Sequence, residues 1–371
     1  MKKEGSNKRE GSELVVESAP HVTGPMSKNR LMQYTFVALL ILVGVSYFSW
    51  GLTSLITAMV AVLVAVALDA VIGTGMKRRG PINTMSAAVF GLIVALSYSL
   101  GVPAMALPTD VIPREALAAP QAYLYVAIIS ALGMIVFKKG QGLLGRKYVN
   151  PAATAKLIVL LPFVTTLLLA KAHFAPFGEA GGLGLPLLAG PIGFGVINNN
   201  GMASFALYLQ SGFGNPALAV PPDVYWIMIV QKFHGWVGGA SSLAVIIVGI
   251  GLFIAARNYI KWRITLSYLV TVPLMALLMT AIYGGDALLR IVFELFIGSS
   301  IFLAFFMATD PATTPLTFTG QILFGVGLGV LTVLIQTFMN FFGGSILALI
   351  IMNLTVPLLD RVGVYKPFGR R

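Results

Sequence analysis

Ten apolar stretches, each long enough to cross the roughly 30 Å hydrocarbon core of a bilayer, constrain this chain more than any motif it carries. They fall near residues 32–50, 53–75, 83–101, 121–137, 151–170, 238–256, 264–284, 288–307, 321–338 and 344–359. Only 10% of the residues are charged, against about a quarter in soluble domains. Inside hydrocarbon every backbone N–H and C=O must find a partner within its own segment, so runs of this length predict helices. The expected fold is an all-α polytopic membrane protein with about ten transmembrane helices.

The 25 Lys and Arg residues are not spread evenly between the spans. Lys2, Lys3, Lys8, Arg9, Lys28 and Arg30 precede the first span, and Lys77, Arg78 and Arg79 follow the second. Lys138, Lys139, Arg146 and Lys147 follow the fourth, and Arg257, Lys261 and Arg263 follow the sixth. Arg361, Lys366, Arg370 and Arg371 follow the tenth. Arg114, Lys171 and Lys232 lie in the alternate loops, while Lys156 and Arg290 lie in or near spans. Basic loops stay in the cytoplasm, so both termini are expected there. The net charge of +12 therefore expresses topology and the lipid bilayer, with no nucleic-acid partner.

The expected organisation is a cytoplasmic tail at 1–31, a first five-helix half at 32–170 and an extracytoplasmic loop at 171–237. A second half at 238–359 and a short cytoplasmic tail at 360–371 complete it. Five plus five admits two inverted repeats, a common device in membrane transport. The long loop is rich in Gly, Pro and Asn, and loops of that length are usually functional. No apolar run follows Met1 closely, so no cleaved signal is expected.

The residue inventory narrows the chemistry. With no cysteine the chain supplies no thiolate to an iron–sulfur cluster. His21, His173 and His234 are not spaced for a mid-membrane haem, and no metal site is expected. Phe305 to Pro315 ends an apolar span in three threonines, one acid and two prolines. Thr309, Asp310, Thr313 and Thr314 are therefore candidates for holding a polar ligand. Asn150-Pro151 and Asp310-Pro311 both read as helix starts with proline after an Asn or Asp cap. Asn150 shares the ligand expectation, and Lys156, one turn further on, is a candidate for a phosphate or ring oxygen, or could instead snorkel to the cytoplasm. Ionisable groups inside spans cost a few kcal/mol, which makes Asp69 and Glu294 ion-path candidates. Asp69 could instead pair near the cytoplasmic face. Asp286, Arg290 and Glu294 at i, i+4, i+8 could instead neutralise one another along one helix face. Gly325, Gly327 and Gly329 read as helix-packing residues rather than a dinucleotide loop.

Several blocks taken in order carry a resemblance. They are Ser18-Ala-Pro-His21, Ser86 to Leu96, Gly142 to Ala152, Ser241 to Ala244 with Trp262 to Ile264, Phe305 to Pro315, and Met352 to Arg361. This series resembles the family that comprises the D-type subunit of the Rnf complex and the B-type subunit of the sodium-pumping quinone reductase. The Ser-Ala-Pro-His block favours the Rnf member. The resemblance implies a subunit of an ion-translocating ferredoxin–NAD oxidoreductase in a prokaryotic cell (inner) membrane. Its partners would be subunits of the A, B, C, E and G types. It further implies flavin: an FMN esterified to a threonine of the outer loop, and a riboflavin or other flavin held without a covalent bond. In this chain Ser204 stands at the acceptor position, with Asn198 in place of the family's acid and Met202 in place of its glycine. Thr84-Met85 and Gly239 also depart from the family pattern. A ten-helix transporter or channel, or a flavin-less structural subunit, are the alternative readings.

Overall fold

Helix occurs within each of the ten apolar segments of the computed structural model, which describes residues 28–75, 84–98, 121–143, 147–159, 229–230, 237–257, 259–284, 286–296, 300–339 and 344–363. No strand occurs among the described residues. Helix α1 spans Lys28–Trp50 and α2 spans Leu52–Gly75. The single residue between them is Gly51, at φ 59°, a left-handed turn that a side chain would strain. Helix α3 is Thr84–Ser97. Helix α4 starts as Gln121–Leu132 and widens into π turns over Gly133–Gly140. Helix α5 runs over 151–159.

A 3-10 turn at Val237–Gly239 leads into α6, Ser242–Ala255, whose N-cap Ser241 accepts from Ala244 N at 3.3 Å. Helix α7 is Trp262–Tyr283, and α8 is Ala287–Phe296. Helix α9 begins at Ser300–Phe302 and continues as a π turn over Leu303–Met307. Helices α10, Phe318–Met339, and α11, Gly344–Leu359, close the chain.

The ten segments are met in position but not all in length. Among the described residues, five helices are long and apolar enough to cross a membrane. Helices α8 and α9 make a sixth if they count as one span, bent by 59° at its break. Helices α3, α6 and α11 are apolar but shorter. The protein is thus a multi-pass helical membrane protein.

Close approach of helix backbones holds the bundle together. Helix α2 packs on α3 and α4, and α7 packs on α10, which packs on α11. The second helix of each expected half therefore meets the fourth. Ala58, Ala61 and Ala65 are buried on one stripe of α2, where small residues allow contact without side chains between. The glycines of α10 leave room on two faces for side chains of its neighbours. A Cβ on Gly329 would stand 2.9 Å from Thr271 Cβ of α7, and one on Gly327 would stand 2.6 Å from Met352 Cε of α11. Helix packing, not nucleotide binding, is what they do.

Asp69 on α2 pairs with Lys139 on α4 and ties the two helices near their basic end. The carboxylate is 4% exposed and the lysine 24%, so the losses should be unequal. Lys139→Met leaves a charge in a dry site, whereas Asp69→Asn leaves an ammonium that can turn to water. Thermal unfolding in detergent is expected to show Lys139→Met costing several kcal/mol, about 3–5, and Asp69→Asn about 1. Equal shifts would disprove the asymmetry.

Candidate functional site

Two interruptions of helix meet at the basic end of the bundle. The first is Asn150-Pro151 at the start of α5. Asn150 Oδ1 accepts from Ala152 N and Ala153 N, each at 3.1 Å, which is an N-cap. Its Nδ2 donates to Met307 O at 3.3 Å, the last carbonyl of the α9 π turn. Its backbone N–H donates to Asn353 Oδ1 of α11 at 2.7 Å. One buried asparagine therefore ties α5, α9 and α11 together. The preceding residues are set by Gln141, whose Oε1 accepts from Tyr148 N at 2.9 Å.

The second interruption is Thr309 to Pro315. Here the structure corrects the expected helix start: residues 309–317 form turns and bends, and α10 begins at Phe318. Asp310 Oδ1 accepts from Ala312 N at 3.1 Å, which closes an Asx turn instead of opening a helix. Thr314 Oγ1 donates to Asp310 O at 2.6 Å, and Lys261 reaches in to Thr314 O and Oγ1, each at 2.9 Å. Thr309 Oγ1 donates to Phe305 O at 2.8 Å.

Between the two lies a cavity of about 200 Å³. Its polar lining includes Ser86, Lys138, Lys147, Asn150, Thr309 and Asp310, and its apolar walls include Phe90, Ile93, Phe305 and Phe306. Lys138 is held by Ser86 O, with its Nζ 5.1 Å from the centre of the Phe90 ring. Phe305 is seated against Gly249 of α6, where an added Cβ would stand 2.7 Å from its Cγ, and its ring lies 5.2 Å from that of Phe253. Asn353 Nδ2, the far end of the amide that holds Asn150, is buried without a hydrogen bond. The arrangement is a ring-sized slot with aromatic walls, two ammonium groups and one carboxylate.

Residues 15–112 and 116–369 match the NQR2, RnfD, RnfE family. The chain belongs to this family. The D-type subunit of the Na(+)-translocating ferredoxin:NAD(+) oxidoreductase complex of Acetobacterium woodii is 26% identical, over 96% of this chain and 95% of that protein. Its counterpart in the proton-translocating ferredoxin:NAD(+) oxidoreductase complex of Clostridium ljungdahlii is 27% identical, over 96% and 97%. The D-type subunit of an ion-translocating oxidoreductase complex of Stutzerimonas stutzeri is 29% identical, over 68% and 72%.

In this NQR2, RnfD, RnfE member the residues singled out from sequence separate into groups. Asn150, Thr309 and Asp310 come together at the cavity, although Asn150 and Met307 are 157 residues apart. Thr313 and Thr314 are buried in the turn beneath it and do not line it. Lys156 is neither in the cavity nor at the surface. It is 1% exposed and donates to Ser97 O, so its amino group satisfies a carbonyl at the C-terminal end of α3. Asp69 pairs with Lys139, and Glu294 lies in α8, away from the cavity. Asp286 does not extend a charge ladder to Glu294: its Oδ1 caps α8 through Leu288 N at 2.8 Å and Leu289 N at 3.2 Å. Ser204 lies outside the described residues.

Lys138 and Lys147 are the cavity residues that sequence reasoning missed. Both entered the charge count as markers of topology, and their places, Lys138 before and Lys147 within Gly142 to Ala152, hold no sign that they turn inward.

Proposed function

We propose that this chain is a membrane subunit of an Rnf-type ion-translocating oxidoreductase, and that the cavity at its basic, cytoplasmic end holds a flavin without a covalent bond. The observation that carries the reading is the meeting of Asn150-Pro151 and Thr309–Pro311 around a slot with phenyl walls and inward lysines. The relatives are named as subunits of ferredoxin:NAD(+) oxidoreductase complexes, which move electrons and ions together. A flavin bound there would accept electrons from one partner subunit and give them to another.

The donor set fits such a group. Phe90, Phe305 and Phe306 offer flat apolar faces, and the side chains of Thr309 and Asn150 offer hydrogen-bonding edges. The volume is below the roughly 300–1,000 Å³ usual for organic ligands, so the ring system would fill it and a side chain would leave by the open end. Lys138 and Lys147 would favour the negative charge that arrives with electrons, and so raise the reduction potential. The phenyl rings would keep water from the reacting edge.

A second flavin belongs to the same reading: an FMN joined through its phosphate to Ser204 in the outer loop. The test is flavin absorbance of the native protein beside in-gel fluorescence after denaturation. Fluorescence that survives denaturation should vanish in Ser204→Ala. The remaining native flavin absorbance should fall by about tenfold or more in Thr35→Trp, which fills the cavity from the rim of α1. An intact complex with no flavin in either measurement would overturn the proposal and leave a structural subunit.

A further inference from the structure

The two lysines of the cytoplasmic cavity belong to the site already described, and the Lys156–Ser97 contact is a satisfied helix end. A different cluster is left, at the break between α8 and α9. Glu294 lies in the last turn of α8 and is 1% exposed within the bent, apolar α8–α9 pair. Helix α8 begins at Ala287, so the carboxylate is about 10 Å along it from its start. The groups around the carboxylate are mostly neutral. Thr337 Oγ1 donates to Oε1 at 3.0 Å. The Gln336 amide, with its nitrogen turned to the acid, donates to Oε2 at 2.7 Å and approaches Glu294 O at 3.3 Å. The other end of that amide is then the one 3.5 Å from Ser300 Oγ, in the first turn of α9.

Tyr268 of α7 is the informative neighbour. It is 0% exposed, and its Oη lies among Ser300, Thr332 and Glu294 without a hydrogen bond of ordinary geometry. A buried phenol left in that state costs free energy unless something else takes it. Among the described residues, the charged and titratable groups facing the acid are Arg290, one turn earlier on its own helix, and Tyr268 from α7. Tyr283 faces Arg290, and α10 contributes only the neutral Thr332, Gln336 and Thr337. Interrupted helices in membranes place the negative, carbonyl end of one half where a cation can sit. Here that end carries a carboxylate, two hydroxyls and an amide oxygen.

We propose that Glu294, Ser300, Tyr268 and Gln336 form an exchangeable monovalent-cation site inside the membrane, taking H+ or Na+. Helix α9 runs from this chamber at Ser300 to Met307, which Asn150 holds at the edge of the cavity. The site does not depend on which cofactor the cavity holds.

The test uses the intact complex in vesicles, with its native flavin spectrum and electron-transfer rate recorded alongside cation uptake. Glu294→Gln is expected to cut uptake by about tenfold or more, and Glu294→Asp to recover part of it. Uptake of radioactive sodium that survives a protonophore identifies Na+, and quenching of a pH dye in sodium-free buffer identifies H+; either supports the site. Uptake at the wild-type level in Glu294→Gln overturns it. If that variant fails to assemble, dicyclohexylcarbodiimide labelling of the wild-type complex decides, because the reagent attacks protonated carboxyls within membranes. Labelling of Glu294 that falls as pH rises or as Na+ is added supports the site, and absent or invariant labelling overturns it. The labelling needs no turnover, so it separates failure of this site from failure of the flavin reading.

Discussion

Asn150→Ala should give a protein that unfolds at lower temperature in detergent and loses the flavin proposed for its cavity. The substitution removes the α5 N-cap to Ala152 and Ala153, worth about 1 kcal/mol. It also takes from Met307 O its donor on α5, leaving that buried carbonyl the longer bond from Asp310 N at 3.4 Å, at a cost of about 1 kcal/mol. The bond from the backbone N–H of residue 150 to Asn353 can persist, so α11 stays tied while α9 is released. Helix α9 carries Phe305 and Phe306, and its release lets the cavity wall drift. Asn150→Asp separates the two roles. A carboxylate caps a helix as well as an amide does, and it suits the positive end of the dipole, yet it cannot donate to Met307. Thermal unfolding should recover in Asn150→Asp by roughly the capping energy, about 1 kcal/mol, while cavity binding stays lost. Normal binding in Asn150→Asp would mean that the tie to α9 does not shape the site.

Gly91→Leu should abolish folding of the bundle or reduce it severely. An added Cβ at Gly91 would stand 2.7 Å from Val62 Cα and 2.8 Å from Ala61 O, both backbone atoms of α2. Flexible side chains can step aside, but a helix backbone cannot, so α2 and α3 must separate. Overpacking usually costs about 1–3 kcal/mol, and a backbone clash belongs at the upper end or above. The same helix presents Ser86, Val89, Phe90 and Ile93 to the cavity, so displacing α3 also opens the site. Gly44→Leu on α1 is the control, because nothing lies within 4 Å of a Cβ there. The readouts are the yield of monodisperse protein and its unfolding temperature in detergent. Equal behaviour of the two variants would show that α2 and α3 are not in backbone contact.

The placement of helices was legible from sequence because apolar length and the spacing of charge are local properties. A run such as Leu52 to Gly75 is helical in lipid whatever surrounds it. The packing role of Gly325, Gly327 and Gly329 was legible for the same reason, since small residues one turn apart on a membrane helix have few other uses. The polar breaks at Asn150 and Thr309 were visible as departures from the apolar pattern. Their proline context was less informative: the same Asx-Pro pair caps a helix at 150 and closes a turn at 310. The difference comes from outside the pair, because Lys261 holds the carbonyls of Pro311 and Thr314 in the turn.

By itself, then, the sequence determined a helical membrane protein, the ten places where helix forms, and the residues too polar to be there without a reason. Only the tertiary structure decided which of those residues meet. Asn150 and Asn353 are 203 residues apart, and Lys138 and Thr309 share a cavity that no spacing along the chain announces. Lys156 satisfies a helix end, Asp69 finds Lys139, and Glu294 finds Gln336 and Thr337. Hydropathy and helix period act within a segment, whereas the partner of a buried polar group is set by which helices stand side by side.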